Sequence, residues 1–139
     1  MIVRRATAAD GDGDALLSLV TSGIGHERHV DPEKLRRFVK AFCSAQGDVC
    51  AMVGEEGGAL LSVAAGIVVD HPWLRGKQLQ VVALTGKGGS ECLSELETWA
   101  RGQGADGEFL TLNPDKRYDR WAREEGFIPV RCYWRPSWQ

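Results

Sequence analysis

The sequence predicts an α/β fold: a mixed, mostly antiparallel central sheet with helices on both faces, in the order β-α-α-β-β-β-α-β-α-β. Three observations predict it. Continuous apolar runs at 49–54, 59–69 and 79–84 read as buried strands, while apolar residues around 16–24, 35–42 and 93–100 recur at helical spacing. The turn Glu56-Gly57-Gly58 joins two of the runs as an antiparallel hairpin. The series strand 79–84, helix 90–103, strand 108–112 forms a crossover unit, whose strands should be parallel and its connection right-handed.

Taken in order, residues 2–5 are β-compatible and open the fold. Residues 10–14, rich in Gly and Asp, read as a turn. Leu16, Leu17, Val20 and Ile24 line a helix that Gly23 and Gly25 should end. Asp31-Pro32 starts a second helix, because Asp caps free amides and Pro suits the first helical position. Leu35, Phe38, Val39 and Phe42 form its apolar face, and Arg36, Arg37 and Lys40 its solvated one. After the hairpin, residues 70–76 form a loop. Ser90 can cap a helix running to Gln103, with Leu93, Leu96, Trp99 and Ala100 on one face and Gly104 as its left-handed stop. Tyr118, Trp121 and Ala122 mark a short helix stopped by Gly126, and residues 127–134 read as a last strand.

The chain has 139 residues, enough for one domain spanning 1–139. A composition of 43% hydrophobic and 26% charged residues is that of an ordinary globular protein. A formal net charge of −2 gives no global attraction for nucleic acid or anionic lipid, so neither is an expected partner. No run approaches the ~20 apolar residues that span a bilayer, and no apolar signal core follows the first arginines. A cytoplasmic location is expected. Cys43, Cys50, Cys92 and Cys132 form neither a CxxC pair nor a zinc-like cluster. They read as buried free thiols with no metal.

The chemistry rests on residues 83–93, ALTGKGGSECL. A glycine-rich turn between a strand and a helix is an anion trap, since the first helical amides lack internal partners and the helix dipole favours negative charge. Gly86, Lys87, Gly88, Gly89 and Ser90 occupy that place. Neither GxxxxGK[ST] nor GxGxxG is satisfied, so the glycines by themselves leave a plain turn and a phosphate loop both open.

Three longer strings add to this. The opening IVRRATAAD, the stretch QLQVVALTGKGGSECLSELETWARGQGA and the stretch EFLTLNPDKRYDRWAREEGFIPV resemble the first strand and turn, the fourth strand with pyrophosphate loop and helix, and the fifth strand with short helix and Gly-Phe of the GCN5-related N-acetyltransferases. The resemblance covers nearly the whole chain and is strongest in WARGQGA and EEGFIPV. It implies acetyl-CoA as acyl donor, bound where two parallel strands splay. Val82, Ala83 and Leu84 would then face the pantetheine, and the amides of Gly86, Lys87, Gly88, Gly89 and Ser90 the pyrophosphate. Asn113 matches the family's asparagine after the fifth strand. The reaction implied is direct acetyl transfer to an uncharged amine of a small molecule or a protein, and dimers are common in the family, so a homodimer is among the partners implied.

The sequence departs from the family pattern twice. The loop usually reads Q/R-x-x-G-x-G/A, and here Leu84, or Thr85 with a one-residue gap, stands where Arg or Gln is expected. The tyrosine that usually protonates the leaving thiolate is replaced by Ala122, with Tyr118 one helical turn earlier on the same face. Tyr118 is the candidate acid. Candidates for the general base are His71, with Asp70 beside it, and His26, Glu27 and His29 between the first two helices. Trp73, Trp134 and Trp138 could line an acceptor cleft. Three function classes stay open at this point: an acetyl-CoA-dependent N-acetyltransferase, a non-catalytic binding or phage-associated component on the same fold, and an acyltransferase with another donor.

Overall fold

The computed structural model describes residues 1–24, 30–44, 46–110 and 116–130. One sheet of five strands runs in the order β1-β2-β3-β4-β5, with β1 Ile2–Arg5, β2 Val49–Glu56, β3 Ala59–Asp70, β4 Lys77–Gly86 and β5 Ala105–Leu110. The first three pairings are antiparallel and β4–β5 is parallel, as the crossover unit requires. The α/β class and the mixed, mostly antiparallel sheet are as the sequence predicts.

Helices cover both faces. On one, α2 (Asp14–Ile24) and α3 (Pro32–Phe42) bring Leu16, Val20, Val39 and Phe42 against Ala51, Val53, Val63 and Ala65. On the other, α4 (Gly89–Gly102) packs Cys92, Leu93, Leu96 and Ala100 onto Cys50, Ala64, Leu79 and Val81. Cys43, Cys50 and Cys92 are free and buried; Cys132 lies outside the described residues.

Three expectations need correction. Residues 10–14 are not a turn: α1 spans Ala8–Asp12 and Gly13 follows it. Its nucleus is a capping box that the composition of the stretch hides, in which Thr7 accepts from the Asp10 amide while Asp10 accepts from the Thr7 amide. Gly23 does not end α2, which continues to Ile24. A Cβ at Gly23 would lie 2.8 Å from Thr85 Cβ, so this glycine lets the helix approach β4 closely. The last strand does not begin at Phe127, because residues 127–130 carry no regular structure and 131–134 lie outside the described residues.

Smaller differences bear on the site. β4 is longer than the apolar run suggests, and β5 starts at Ala105, directly after Gly104 at φ +91°. The β3–β4 register also slips. Ala65 faces Ala83 and Gly66 faces Val81, so Val82 is an extra residue on β4. Pairing with β5 stops at Val81, opposite Leu110. From Val82 to Gly86, among the described residues, β4 has lost its neighbour on the β5 side.

Candidate functional site

A cavity of about 360 Å³ opens where β4 runs on past β5. Leu84, Thr85 and Gly86 of β4, Gly88, Gly89 and Ser90 at the start of α4, and Tyr118 and Trp121 of α5 (Lys116–Glu124) line it. The structure therefore brings together Leu84, Gly86, Gly88, Gly89, Ser90 and Tyr118 from the residues the sequence nominates. Thr85 and Trp121 join them. The signal for Trp121 was its place one turn after Tyr118 on the same helical face.

The start of α4 is the chemical centre of this cavity. Its N-cap is Gly88, in the left-handed region at φ +88°, and no side chain caps the helix. The first-turn amides are thus left for whatever occupies the cavity. Gly86 and Lys87 behave differently. Gly86 pairs with Ser62 in the ladder, and the Lys87 amide donates to Leu61 O at 3.0 Å. The Lys87 amide is therefore already engaged, and Lys87 keeps an exposed side chain.

Tyr118 is half-buried and packs on Trp121, ring centroids 5.6 Å apart. Burial raises its pKa, so the phenol keeps its proton. Ala122, at the family's tyrosine position, is buried and lines a separate cavity of about 400 Å³ beside Leu110 and residues 125–130. Val82, the bulged residue, and Ala83 both pack toward the α2–α3 core, and neither lines the cavity.

His71 lies elsewhere. Its ring stacks on Phe109 at 5.8 Å and meets Trp73 edge-on at 4.6 Å. Its Nδ1 accepts from the Trp73 amide at 3.4 Å. That geometry suits a wall better than a base. Trp73 is exposed on the same loop. Asn113, His26, Glu27, His29, Trp134 and Trp138 lie outside the described residues. Among the described residues no group of three or more His, Cys, Asp or Glu could hold a metal ion, and no helix is long and apolar enough to cross a membrane.

Comparison with known proteins matches this geometry. No family profile matches the sequence, and no curated protein matches it. Solved structures do. A protein described as a predicted acetyltransferase from Clostridium acetobutylicum, solved with acetyl-CoA, superposes with a TM-score of 0.78 at 17% identity over 96% of this chain and 94% of its own. Glucosamine-6-phosphate N-acetyltransferase from Arabidopsis thaliana gives 0.71 at 14% identity over 96% and 95%. An aminoglycoside acetyltransferase from an uncultured soil sample, in complex with sisomicin, gives 0.68 at 13% identity over 96% and 95%. The chain has the GCN5-related N-acetyltransferase fold.

Proposed function

We propose that this chain is an N-acetyltransferase that moves an acetyl group from acetyl-CoA to an amine, with a small-molecule amine as the favoured acceptor class. One observation carries the reading: α4 starts without a side-chain cap, on a left-handed glycine, at a cavity lined by the end of β4 that, among the described residues, has no partner on the β5 side. The neighbours solved with acetyl-CoA or with an aminoglycoside support it.

The residues present fit the cofactor. The amides at 88–90 suit a diphosphate, because they combine orphan donors with the positive end of the helix dipole. Leu84 and Thr85 would flank the pantetheine, and the bulge at Val82 takes main-chain groups out of the ladder register where a carbonyl oxygen would need a donor. Acetyl-CoA, when bound, supplies an acetyl group activated as a thioester. Tyr118 holds a proton at Oη beside that path and would give it to the departing sulfur as the C–S bond breaks; the proton that the attacking nitrogen sheds on forming the amide passes to solvent, from which the phenol is reprotonated. The remaining work is positioning, which can lower a barrier by ~7–11 kcal/mol. His71, Phe109 and Trp73 would form part of the acceptor wall.

Ala122 in place of the usual tyrosine favours a second reading, a protein that binds the cofactor without turning it over. Two measurements separate the readings. Acetyl-CoA at 100 times its Kd should stabilise the protein by ~2.7 kcal/mol. Free CoA should then appear when hexosamine or aminoglycoside amines are added. Absence of any thermal shift at millimolar acetyl-CoA overturns both; a shift without CoA release across such amines supports the second.

A further inference from the structure

Met1 reaches the anion-binding turn from the opposite edge of the sheet. Met1 precedes β1, and its side chain lies against Gly54 of β2 and Ser62 of β3 and ends at Gly88. Each step has a specific residue. Gly54 of β2 leaves the path clear, since a Cβ there would lie 2.8 Å from Met1 Sδ. Ser62 of β3, wholly buried, directs its Oγ at Met1 Sδ at 3.9 Å. A thioether has no hydrogen to give, so the hydroxyl is the donor. The same oxygen lies 3.2 Å from Cys92 Sγ in the first turn of α4. Burial keeps the Cys92 thiol protonated, so either atom of this pair can donate. At the far end, a Cβ on Gly88 would run into Met1 Cε and lie 2.7 Å from Sδ. Although Met1 as a residue is 46% exposed, its side chain is only 17% exposed. The exposure belongs to the backbone, and the thioether is packed.

The turn needs such a support. Gly88 and Gly89 have the greatest backbone freedom to lose, and no side chain of α4 caps its start. An unbranched, polarisable thioether fills an irregular gap of this kind well.

We propose that Met1 is a positioning residue for the cofactor turn: anchored by Ser62 and seated over Gly54, its thioether backs Gly88 and holds the amides at 88–90 toward the cavity. The role of the turn in cofactor binding is taken from the reading above.

The test varies residue 1 in a chain released from a cleavable N-terminal fusion. Amide hydrogen exchange, read without ligand, should be about tenfold faster at residues 88–90 in Met1→Ala and unchanged in the core of α4. The Kd for CoA should rise about fivefold or more, because ordering the turn becomes part of binding. Met1→Leu, which keeps most of the volume, should restore both to within about twofold. Ser62→Ala leaves Met1 in place and removes its anchor, so it should shift both in the same direction and decides the matter if Met1→Ala does not fold. Unchanged exchange in Met1→Ala and Ser62→Ala overturns the proposal, as does a Met1→Leu protein as impaired as Met1→Ala. If the unmodified protein fails to bind CoA, the cofactor reading falls, while the exchange data still decide whether Met1 holds the turn.

Discussion

Two helices of this molecule begin in opposite ways. At α3, Asp31 accepts from the amides of Glu33 at 3.0 Å and Lys34 at 3.2 Å, and Pro32 has no amide to satisfy. Every donor that matters is consumed by the chain itself. At α4, Gly88 offers no side chain, and Gly89 and Ser90 line a cavity. Starting a helix on glycine rather than a capping side chain costs only about a few tenths of a kcal/mol. Burial of Cys92, Leu93, Leu96 and Ala100 under the same helix offsets that cost. The difference teaches where, on the reading proposed above, donors remain for a ligand.

The strongest way to break the comparison is Ser90→Glu. A carboxylate in the first turn of α4 favours the helix by about 0.3–1 kcal/mol, so thermal stability should hold or rise. The same charge faces the proposed diphosphate, and like charges in close contact cost several kcal/mol, so CoA affinity should fall by roughly 100-fold or more. Calorimetric titration checks the second effect and thermal melting the first. Undiminished affinity would mean that the uncapped end of α4 is not where the cofactor sits.

Tyr118→Phe comes next. It should lower turnover by about 10- to 100-fold and leave CoA affinity nearly unchanged, because it removes one proton and little volume. A steady-state assay with separate kcat and KM values reads this. Equal turnover would remove Tyr118 as the acid and reduce its place in the cavity to packing.

Acidity sharpens the contrast between a closed helix start and the rest of the fold. Asp10, in the capping box of α1, is held at a pKa of about 2, chiefly by its hydrogen bond from Arg4. Its folded pKa lies below the ordinary 3.8, so its contribution is present above that value and is lost as pH falls to about 2. Glu108 on β5 goes the other way. Burial and the neighbouring Glu97 of α4 push it up to about 7, against the pull of Arg101. Its contribution is complete below pH 4.5 and is lost as pH rises through about 7. After allowance for solvent screening each amounts to the order of 1 kcal/mol. Unfolding free energies across pH should lose their acid slope in Asp10→Asn and their neutral slope in Glu108→Gln. A neutral slope that persists in Glu108→Gln would assign it to another group.

The sheet was legible because its signals are local and redundant. Apolar runs at 49–54 and 59–69 meet across Glu56-Gly57-Gly58, and the structure pairs Val49 with Ile67 and Glu56 with Ala59. The helix start at Asp31-Pro32 was legible for the same reason. The α1 capping box was hidden, since Thr7 and Asp10 mean a cap only in partnership and the glycines around them read as a turn. The site was half legible. Glycine content points to the turn at 86–90, but only a ladder shows that Leu61 has taken the Lys87 amide. Likewise, a one-residue slip between β3 and β4 makes Val82 a bulged residue, and no spacing along β4 alone contains that slip. His71 looks like a base in sequence, and its Trp73 partner becomes visible only in the folded loop.

The smallest effect tests the closed side of the comparison. Asp31→Ala removes the side-chain acceptor that caps α3 and orphans the amides of Glu33 and Lys34. Solvent can reach both, so the loss should be about 1 kcal/mol rather than a full desolvation penalty, equivalent to a Tm lower by about 3–5 °C. CoA affinity should not change, because α3 contributes no residue to the cavity beside Gly88. Asn at the same position should restore most of the loss, since its carbonyl oxygen can accept the same two amides. A fall in CoA affinity alongside stability would show that the start of α3 is coupled to the cofactor cavity. The two helix starts would then be parts of one device rather than opposite solutions to one problem.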